Sequence, residues 1–218
     1  MMKTITNEDN MVMMARYPDK HFDLAIVDPP YGLGASNVKR GGRQYGNSCA
    51  KSKNYGKKDW DNSIPKPDYF KELFRTSKNQ IIWGGNFMTG LLPPSSCWIV
   101  CDKLTGDNGY ADFELAWTSF YTAARKFTFR WQGMLQGNMA EKEIRFHPTQ
   151  KPVTLYKWLL DKYAKPGDKI LDTHLGSGSI AIACHDYGYD LTACELDPDY
   201  YNAAMQRIKQ HTDQLKIF

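Results

Sequence analysis

The chain has 218 residues, with 28 Lys plus Arg against 24 Asp plus Glu, and 42% of its residues are hydrophobic. These values are ordinary for a globular protein and exclude disordered, collagen-like and channel-forming chains. No apolar run approaches the ~20 residues that span a bilayer, and acidic residues stand near the start, where a signal peptide needs an apolar segment. We therefore expect a soluble, intracellular protein with one or at most two compact units, which one large α/β domain would satisfy.

Five cysteines, at positions 49, 97, 101, 184 and 194, are scattered along the chain and lie mostly inside apolar runs. An odd number of scattered cysteines predicts reduced, buried thiols rather than a disulfide framework. Cys97 and Cys101 have a ligand-like spacing, but no second Cys or His pair lies at the distance that a zinc finger requires. We predict no metal site.

Apolar runs and helical periods alternate along the chain, as is typical of α/β folds. The run FDLAIV (22–27) ends at Asp-Pro-Pro and predicts a buried parallel strand. The elements predicted after it are a helix over 67–78, strands over 80–85, 96–103 and 113–120, an exposed β-ribbon over 125–131, a helix over 153–164, a strand, glycine turn and helix over 169–188, a strand that ends at Glu195, and a last helix from Asp197 to about Gln210.

A basic segment, called the basic arm (residues 32–58), follows the strand predicted over 22–27. Between Gly32 and Lys58 there are seven basic residues and no acidic one, in a composition rich in Gly, Asn and Ser. Such a segment is either a solvated loop or a loop, over about 32–62, that contacts phosphates and becomes ordered on nucleic acid. The candidate DNA-binding residues are Lys39, Arg40, Arg43, Lys51, Lys53, Lys57 and Lys58, together with Arg130 of the ribbon.

The segment LDTHLGSGSIAIA predicts a ligand-binding turn. Its strand ends at Asp172, and Gly176 and Gly178 permit a tight turn in which backbone N–H groups approach a ligand. Glu195 closes the next strand, where a carboxylate accepts hydrogen bonds from two ribose hydroxyls. The pair predicts a nucleoside-containing cofactor. A P-loop is excluded because no Gly-Lys-Ser/Thr follows, and the remaining chain is too short for the second half of a dehydrogenase fold.

A second motif, Asp28-Pro29-Pro30-Tyr31, lies at the carboxyl end of the first predicted strand. Two successive prolines fix φ and remove backbone donors, which leaves carbonyl oxygens beside a carboxylate and an aromatic ring. This set suits an exocyclic amino group, because acceptors on its two hydrogens favour a more nucleophilic nitrogen, while Tyr31 can stack on the base. The alternative is a strand-ending turn with an incidental Asp and Tyr.

The motifs DPPY, HPTQKP (147–152) and LDTHLGSGS with ELDPDYY (195–201) resemble the β-group of amino-methylating DNA methyltransferases, which use S-adenosylmethionine. In that group DPPY precedes the cofactor turn, whereas methyltransferases of glutamine or small molecules have the reverse order. The resemblance implies a circularly permuted, Rossmann-like methyltransferase fold, with a mostly parallel seven-stranded sheet, helices on both faces and neighbouring termini. It also implies a single methyltransferase domain over residues 1–218, with a small target-recognition insertion within about 104–146, in a cytoplasmic, prokaryotic or phage-like setting.

The resemblance implies roles for individual residues as well. Asp28 to Tyr31 would hold the target amine, and 149–151 would lie beside the methionyl part of the cofactor. Asp9 would contact the adenine, although Glu8 replaces the glycine that often precedes it, and His174 replaces a phenylalanine and would pack against the turn. The residues expected to contact S-adenosylmethionine, or S-adenosylhomocysteine as the product, are Asp9, Asp28, Thr149, Gln150, Lys151, Asp172, Thr173, His174, Gly176, Ser177, Gly178, Ser179, Glu195 and Leu196.

The resulting hypothesis is direct, in-line transfer of a methyl group to the N6 amine of adenine in duplex DNA, with the base flipped out of the helix. Asp before Pro-Pro-Tyr favours adenine in the family, and the N4 amine of cytosine is the second choice. The chain has no Pro-Cys dipeptide, so methylation of a cytosine ring carbon is excluded. A non-catalytic, cofactor-binding nucleic-acid-binding protein and an RNA substrate remain open, and a homodimer would fit the little room left for target recognition.

Overall fold

The computed structural model describes residues 3–34, 58–105, 111–132, 135–140 and 142–213. The strands in these ranges are β1 (Lys3–Asn7), β2 (Phe22–Val27), β3 (Ser77–Trp83), β4 (Trp98–Asp102), β5 (Phe113–Thr118), β6 (Arg125–Thr128), β7 (Trp131–Gln132), β8 (Leu135–Gln136), β9 (Lys169–Asp172) and β10 (Asp190–Glu195). The helices are α1 (Asn10–Met14), α2 (Pro67–Thr76), α3 (Val153–Tyr163), α4 (Ser179–Tyr187) and α5 (Pro198–Thr212), with a short 3₁₀ turn over Gly85–Phe87.

Eight strands form one sheet in the order β1-β10-β9-β2-β3-β5-β4-β6, and β7 and β8 form a separate two-stranded ribbon. All neighbours in the large sheet are parallel except β5, which runs antiparallel to β3 and β4. This order places β9, which precedes the glycine turn, beside β2, which precedes DPPY. The two sequence motifs therefore meet at the centre of the sheet.

The predicted strand count of seven is wrong, because the described sheet has eight strands. The strand that the sequence does not predict is β1, which has a single apolar residue, Ile5, and which among the described strands pairs with β10 alone, at one edge of the sheet. The exposed ribbon predicted over 125–131 contributes β6, which pairs with β4 and forms the other edge. The target-recognition insertion is predicted within about 104–146, and β5 and β6 in that range belong to the large sheet. The described part of this range that lies outside the large sheet is the β7–β8 ribbon with its flanking residues.

Side chains from alternate positions of the central strands fill two cores, one on each face of the sheet. In β2, Leu24 and Ile26 pack with α3 and α4, whereas Ala25 and Val27 pack with α1 and α2, and Phe22 at the start of the strand also joins this second core. All five side chains are buried. The prediction of an α/β sheet with helices on both faces is therefore confirmed, and two helical layers hold the central strands in place.

The last helix, α5, begins where its caps predict. Asp197 accepts hydrogen bonds from the backbone N–H groups of Asp199 and Tyr200, and Pro198 occupies the first turn. The helix packs on β1, where the Tyr201 hydroxyl donates to the backbone oxygen of Ile5 at 3.3 Å. Elements from the two ends of the described chain are therefore in contact, as predicted.

Four cysteines, at positions 97, 101, 184 and 194, are buried free thiols as predicted, and Cys49 lies outside the described residues. Within the described ranges, no group of three or more His, Cys, Asp or Glu side chains could hold a metal ion. None of the helices in the same ranges is long and apolar enough to pass through a bilayer.

Candidate active site

The carboxyl ends of four neighbouring parallel strands meet at one edge of the sheet. Asp28 follows β2, Asp172 ends β9, Glu195 ends β10, and Asp9 follows β1. In open α/β sheets, ligands bind at this edge. The topology thus brings side chains that are up to 186 positions apart in the chain (9 to 195) to one place.

A cavity of about 610 Å³ opens at this edge, within the range of small-molecule sites. It is lined both by residues that the sequence predicts and by aromatic side chains that it does not, among them Trp60, Tyr69, His147 and Tyr200. The predicted residues on its wall are Asp9, Asp28, Pro30, Thr149, Gln150, Lys151, Thr173, His174, Gly176, Ser177, Glu195 and Leu196.

Three predicted cofactor contacts support the turn from behind instead of lining the cavity. The buried Asp172 carboxylate accepts a hydrogen bond from the backbone N–H of His174 at 3.0 Å, and burial raises its pKa to about 8. Gly178 has φ +72° and a Cβ there would lie 3.0 Å from Ile208 Cδ1, so this glycine allows α5 to approach. The Ser179 hydroxyl donates to the backbone oxygen of Lys151.

Glu195 is held in place by the turn that it faces. One carboxylate oxygen accepts from the backbone N–H of Gly176 at 2.8 Å and the other from that of Asp197 at 3.0 Å. Each oxygen keeps a second lone pair for another donor. Burial raises the pKa of this carboxyl, while the two backbone hydrogen bonds oppose that shift. The geometry suits a carboxylate that accepts hydrogen bonds from two ligand hydroxyls.

His174 joins two elements across the floor of the cavity. Its Nε2 lies 3.1 Å from Asn10 Nδ2, an amide nitrogen that can only donate, so Nδ1 carries the proton toward Thr173 Oγ1 at 2.8 Å. Thr173 Oγ1 lies 2.7 Å from the Tyr69 hydroxyl. Burial lowers the pKa of His174 to about 4, so the ring is neutral near pH 7. Asp9 caps the N-terminus of α1 beside this series of hydrogen bonds.

At the other end of the cavity, the Asp28 carboxylate is held by two donors. The Tyr31 hydroxyl donates to Oδ1 at 2.6 Å and Lys151 Nζ to Oδ2 at 2.5 Å. Burial raises the pKa of Asp28, and the Lys151 ammonium opposes that shift. Lys151, which the resemblance places beside the methionyl group, thus contacts the predicted amine site directly.

Tyr31 is fixed through both its ring and its backbone. The ring stacks on Phe87, with centroids 5.2 Å apart. The backbone N–H groups of Tyr31 and Gly32 both donate to Asp61 Oδ1, at 2.7 and 3.0 Å, and Gly34 donates to the Asp61 backbone oxygen. The buried Asp61 side chain therefore ties the DPPY turn to the segment on the far side of the basic arm.

Substitution of Gly84 should disturb Tyr31. Gly84 has φ +69°, and a Cβ added there would lie 2.1 Å from Tyr31 Cε1, so Gly84→Ala displaces the ring and weakens its bond to Asp28. We expect the methyl transfer predicted from the sequence to fall roughly tenfold, because small misplacements of reacting groups are costly. Gly90→Ala is the matched control, since nothing lies within 4 Å of its added Cβ. Equal rates for the two variants would show that the ring position is unimportant.

Most of the basic arm falls in 35–57, outside the described residues, which places six of its seven cations there. The seventh, Lys58, is described, and its Nζ lies 2.7 Å from carboxylate oxygens of both Asp197 and Asp199. Arg130 is exposed and follows β6, at the same edge of the sheet as Asp28. The DNA-binding role of these residues stays a prediction.

Sequence reasoning does not identify Glu114, which lies at the start of β5 and whose Oε2 is 3.2 Å from Lys151 Nζ. Its local sequence gives no strong signal, because it is the antiparallel course of β5 that brings the first residues of this strand to the end of the sheet where β2 ends. Asp61 and Gly84 are missed for the same reason: their partners are distant in sequence. An acidic residue at the border of an apolar run is the one weak signal that Glu114 offers.

Sequence relatives share parts of the chain. YubD of Escherichia coli (strain K12) is 38% identical over 64 residues, which are 29% of this chain and 28% of that protein. The type II methyltransferase M.XycI of Xanthomonas campestris pv. cyanopsidis is 25% identical over 112 residues, which are 44% of this chain and 37% of that protein. The matches therefore span well under two thirds of these relatives.

Solved structures share the fold over nearly the whole chain. The M1.HpyAVI–SAM complex has a TM-score of 0.56 at 17% identity and covers 94% of this chain and 100% of that chain. The cytosine-N4-specific PvuII DNA methyltransferase has a TM-score of 0.56 at 11% identity and covers 98% and 91%. These likenesses confirm the predicted methyltransferase fold.

A family model completes the comparison. The model described as DNA methylase, N6_N4_Mtase, matches residues 93–206, which is more than half of the 218 residues and includes HPTQKP, the glycine turn and Glu195. With both motifs on one cavity and the fold shared throughout, the chain belongs to the N6/N4 DNA methylase family.

Proposed function

We propose that this protein transfers a methyl group from S-adenosylmethionine to the N6 amine of adenine in duplex DNA. One observation carries the proposal: the Asp28 carboxylate and the Glu195 carboxylate lie on the wall of the same cavity. A carboxylate suited to an amine and a carboxylate suited to ribose hydroxyls thus share one cavity, which supports the proposal. Family membership supports methyl transfer, and the M1.HpyAVI relative in fold was crystallised with the same cofactor.

The residues present fit that cofactor. Glu195 offers free lone pairs on both oxygens, and Asp9 and the neutral His174 line the same part of the cavity. About 610 Å³ accommodates a molecule of this size. When bound, S-adenosylmethionine supplies a methyl group that its sulfonium already activates. The protein therefore needs no nucleophile of its own, and its contribution is binding and alignment.

The amine site does this alignment at the other end of the cavity. Each Asp28 oxygen keeps one lone pair beyond its bond to Tyr31 or Lys151. Asp28 can therefore accept a hydrogen bond from the target amine. Pro29 and Pro30 have no backbone N–H, and the carbonyl groups beside them offer further acceptors. Drawing both hydrogens toward oxygen favours a lone pair on nitrogen that points at the methyl group. The amine of a paired base is inaccessible, so the base is flipped into the site.

The choice of base is tested directly. The protein is incubated with methyl-labelled S-adenosylmethionine and duplex DNA, and the DNA is digested to nucleosides. The expected product is N6-methyladenosine in its deoxy form. Label in N4-methylcytosine would replace adenine by the second choice, and label in neither nucleoside would overturn the proposal. A parallel reaction with RNA of the same sequence separates the two nucleic acids.

Salt dependence tests the basic arm. Each phosphate contact contributes about −0.9 to the slope of log affinity against log salt. Replacing Lys39, Arg40 and Arg43 together by Gln should flatten the slope by up to about three contacts and leave cofactor affinity unchanged. The control removes three exposed lysines around the amino end of β9, away from the strand ends that form the cavity: Lys162, Lys165 and Lys169. Equal slopes for the two triple variants, measured by fluorescence anisotropy of labelled DNA, would return the arm to a solvated loop.

A further inference from the structure

The Lys151 side chain is surrounded by oxygen acceptors in the candidate active site. Its Nζ lies 2.5 Å from Asp28 Oδ2, 3.2 Å from Glu114 Oε2 and 3.2 Å from the Tyr31 hydroxyl, and its side chain is 6% exposed. An ammonium group has three hydrogens, and here it has three oxygen neighbours. The Trp83 ring, 5.1 Å away, lies against the same charge. Lys151 is thus held in one position between two carboxylates.

Glu114 reaches this place because β5 runs against its neighbours. Its second carboxylate oxygen accepts a hydrogen bond from Lys103 Nζ at 3.0 Å, so that two cations fix its orientation. Burial would raise the pKa of Glu114, but Lys151 and Lys103 overcome that effect and lower it to about 2. The group is therefore a carboxylate throughout the usual pH range, although the proposed methyl transfer assigns it no part.

We propose that Glu114 and Lys151 are a positioning pair for the Asp28 carboxylate. Glu114 anchors the ammonium group from β5, and Lys151 fixes one oxygen of Asp28 while Tyr31 fixes the other. The carboxylate then cannot rotate, and each oxygen presents its remaining lone pair to the target amine. This role deepens the proposed function and rests on it.

Charge gives the pair a signature that a purely structural role lacks. The groups that face Asp28 are Lys151, Tyr31 and Glu114, with Tyr69 on α2, Tyr156 on α3 and Asp172 at the end of β9. Lys151 lowers the pKa of Asp28 and Glu114 raises it. Loss of the lysine charge should therefore raise the Asp28 pKa, and loss of the glutamate charge should lower it.

The test measures the pH profile of single-turnover methyl transfer with saturating cofactor and duplex DNA. Asp28 acts as an acceptor when ionised, so its pKa sets the acid limb. Lys151→Met should move this limb to higher pH by about one unit or more and lower the plateau, while Glu114→Gln should move it to lower pH. Lys151→Arg keeps the charge and should retain the parental limb. Lys157→Met, which removes an ion-paired lysine on α3 away from Asp28, is the control.

A second measurement does not depend on methyl transfer. Protein labelled with ¹³C at the aspartate carboxyl carbons is titrated by NMR, and the Asp28 signal is identified by its absence in Asp28→Asn. Opposite shifts of its pKa in Lys151→Met and Glu114→Gln support the pair even if the DNA substrate is wrong. Shifts in the same direction, or none in either variant, overturn the proposal. Should Lys151→Met not fold, Glu114→Gln alone decides, since an unchanged titration there removes the role of Glu114.

Discussion

Asp28→Ala is expected to reduce methyl transfer at least ~100-fold while S-adenosylhomocysteine still binds nearly as tightly as to the parent. The carboxylate is the proposed acceptor for the target amine, and loss of a group that acts in the transition state commonly costs this much. Cofactor affinity should persist because Glu195 and the glycine turn follow other strands and keep their own hydrogen bond when Asp28 is replaced. Single-turnover transfer of labelled methyl groups to duplex DNA, paired with calorimetry, measures both quantities.

Asp23→Ala provides the matched control. Asp23 lies on the same strand at its other end, where it accepts hydrogen bonds from Lys78 Nζ and the backbone N–H of Lys169. Its removal should change stability slightly and methyl transfer per folded molecule hardly at all. Asp28→Asn keeps an acceptor oxygen but loses the charge, and should fall between the two alanine variants. Near-parental turnover by Asp28→Ala would remove the DPPY turn from the amine site.

Glu195→Ala is expected to weaken S-adenosylhomocysteine binding roughly 10- to 150-fold, which corresponds to about 1.5 to 3 kcal/mol for hydrogen bonds to a charged group. Part of the loss comes from the ligand hydroxyls and part from the turn, because the backbone N–H groups of Gly176 and Asp197 lose their acceptors. Isothermal titration calorimetry measures the change. Glu72→Ala on α2, whose partner is Arg75, is the control of equal charge.

The ribose assignment is separated from the structural part by Glu195→Gln. The glutamine has the size of the glutamate, and its amide oxygen still accepts one backbone hydrogen bond, but its NH₂ group cannot accept a ligand hydroxyl. We expect this variant to bind several-fold more tightly than the alanine variant and more weakly than the parent. An alanine variant with parental affinity would mean that Glu195 supports the turn and does not contact the ligand.

Local patterns predicted the elements that contain strong signals. The apolar run before Asp28 bounds β2 without error, and Asp197 with Pro198 marks the start of α5. The strand β1 carried no such signal, since Lys3, Thr4 and Thr6 interrupt its apolar pattern and its partner β10 lies at the other end of the chain. Predictions therefore succeeded where the physical cause lies within a few residues.

The candidate site followed the same rule. Twelve of the amine and cofactor residues predicted from the motifs line one cavity, because the motifs lie at the ends of central strands. The resemblance could not assign Lys151 to Asp28, since that contact joins residues 123 positions apart. Nor could it give Gly178 its packing role, which depends on Ile208 of α5. Contacts between elements that are distant in sequence could be identified only from the folded structure.

The bond network of Asp61 has an evolutionary consequence. Because Asp61 binds the backbone of Tyr31, Gly32 and Gly34, the segment that ends at Gly34 is fastened to the segment that begins at Lys58. We therefore expect changes of length between Gly34 and Lys58 to cost little, since closing a flexible segment costs about 0.6 kcal/mol for each doubling of its length. The amine site is insulated from such changes. A lineage could therefore exchange this segment, and with it the nucleic-acid contacts proposed for it, while keeping the same chemistry.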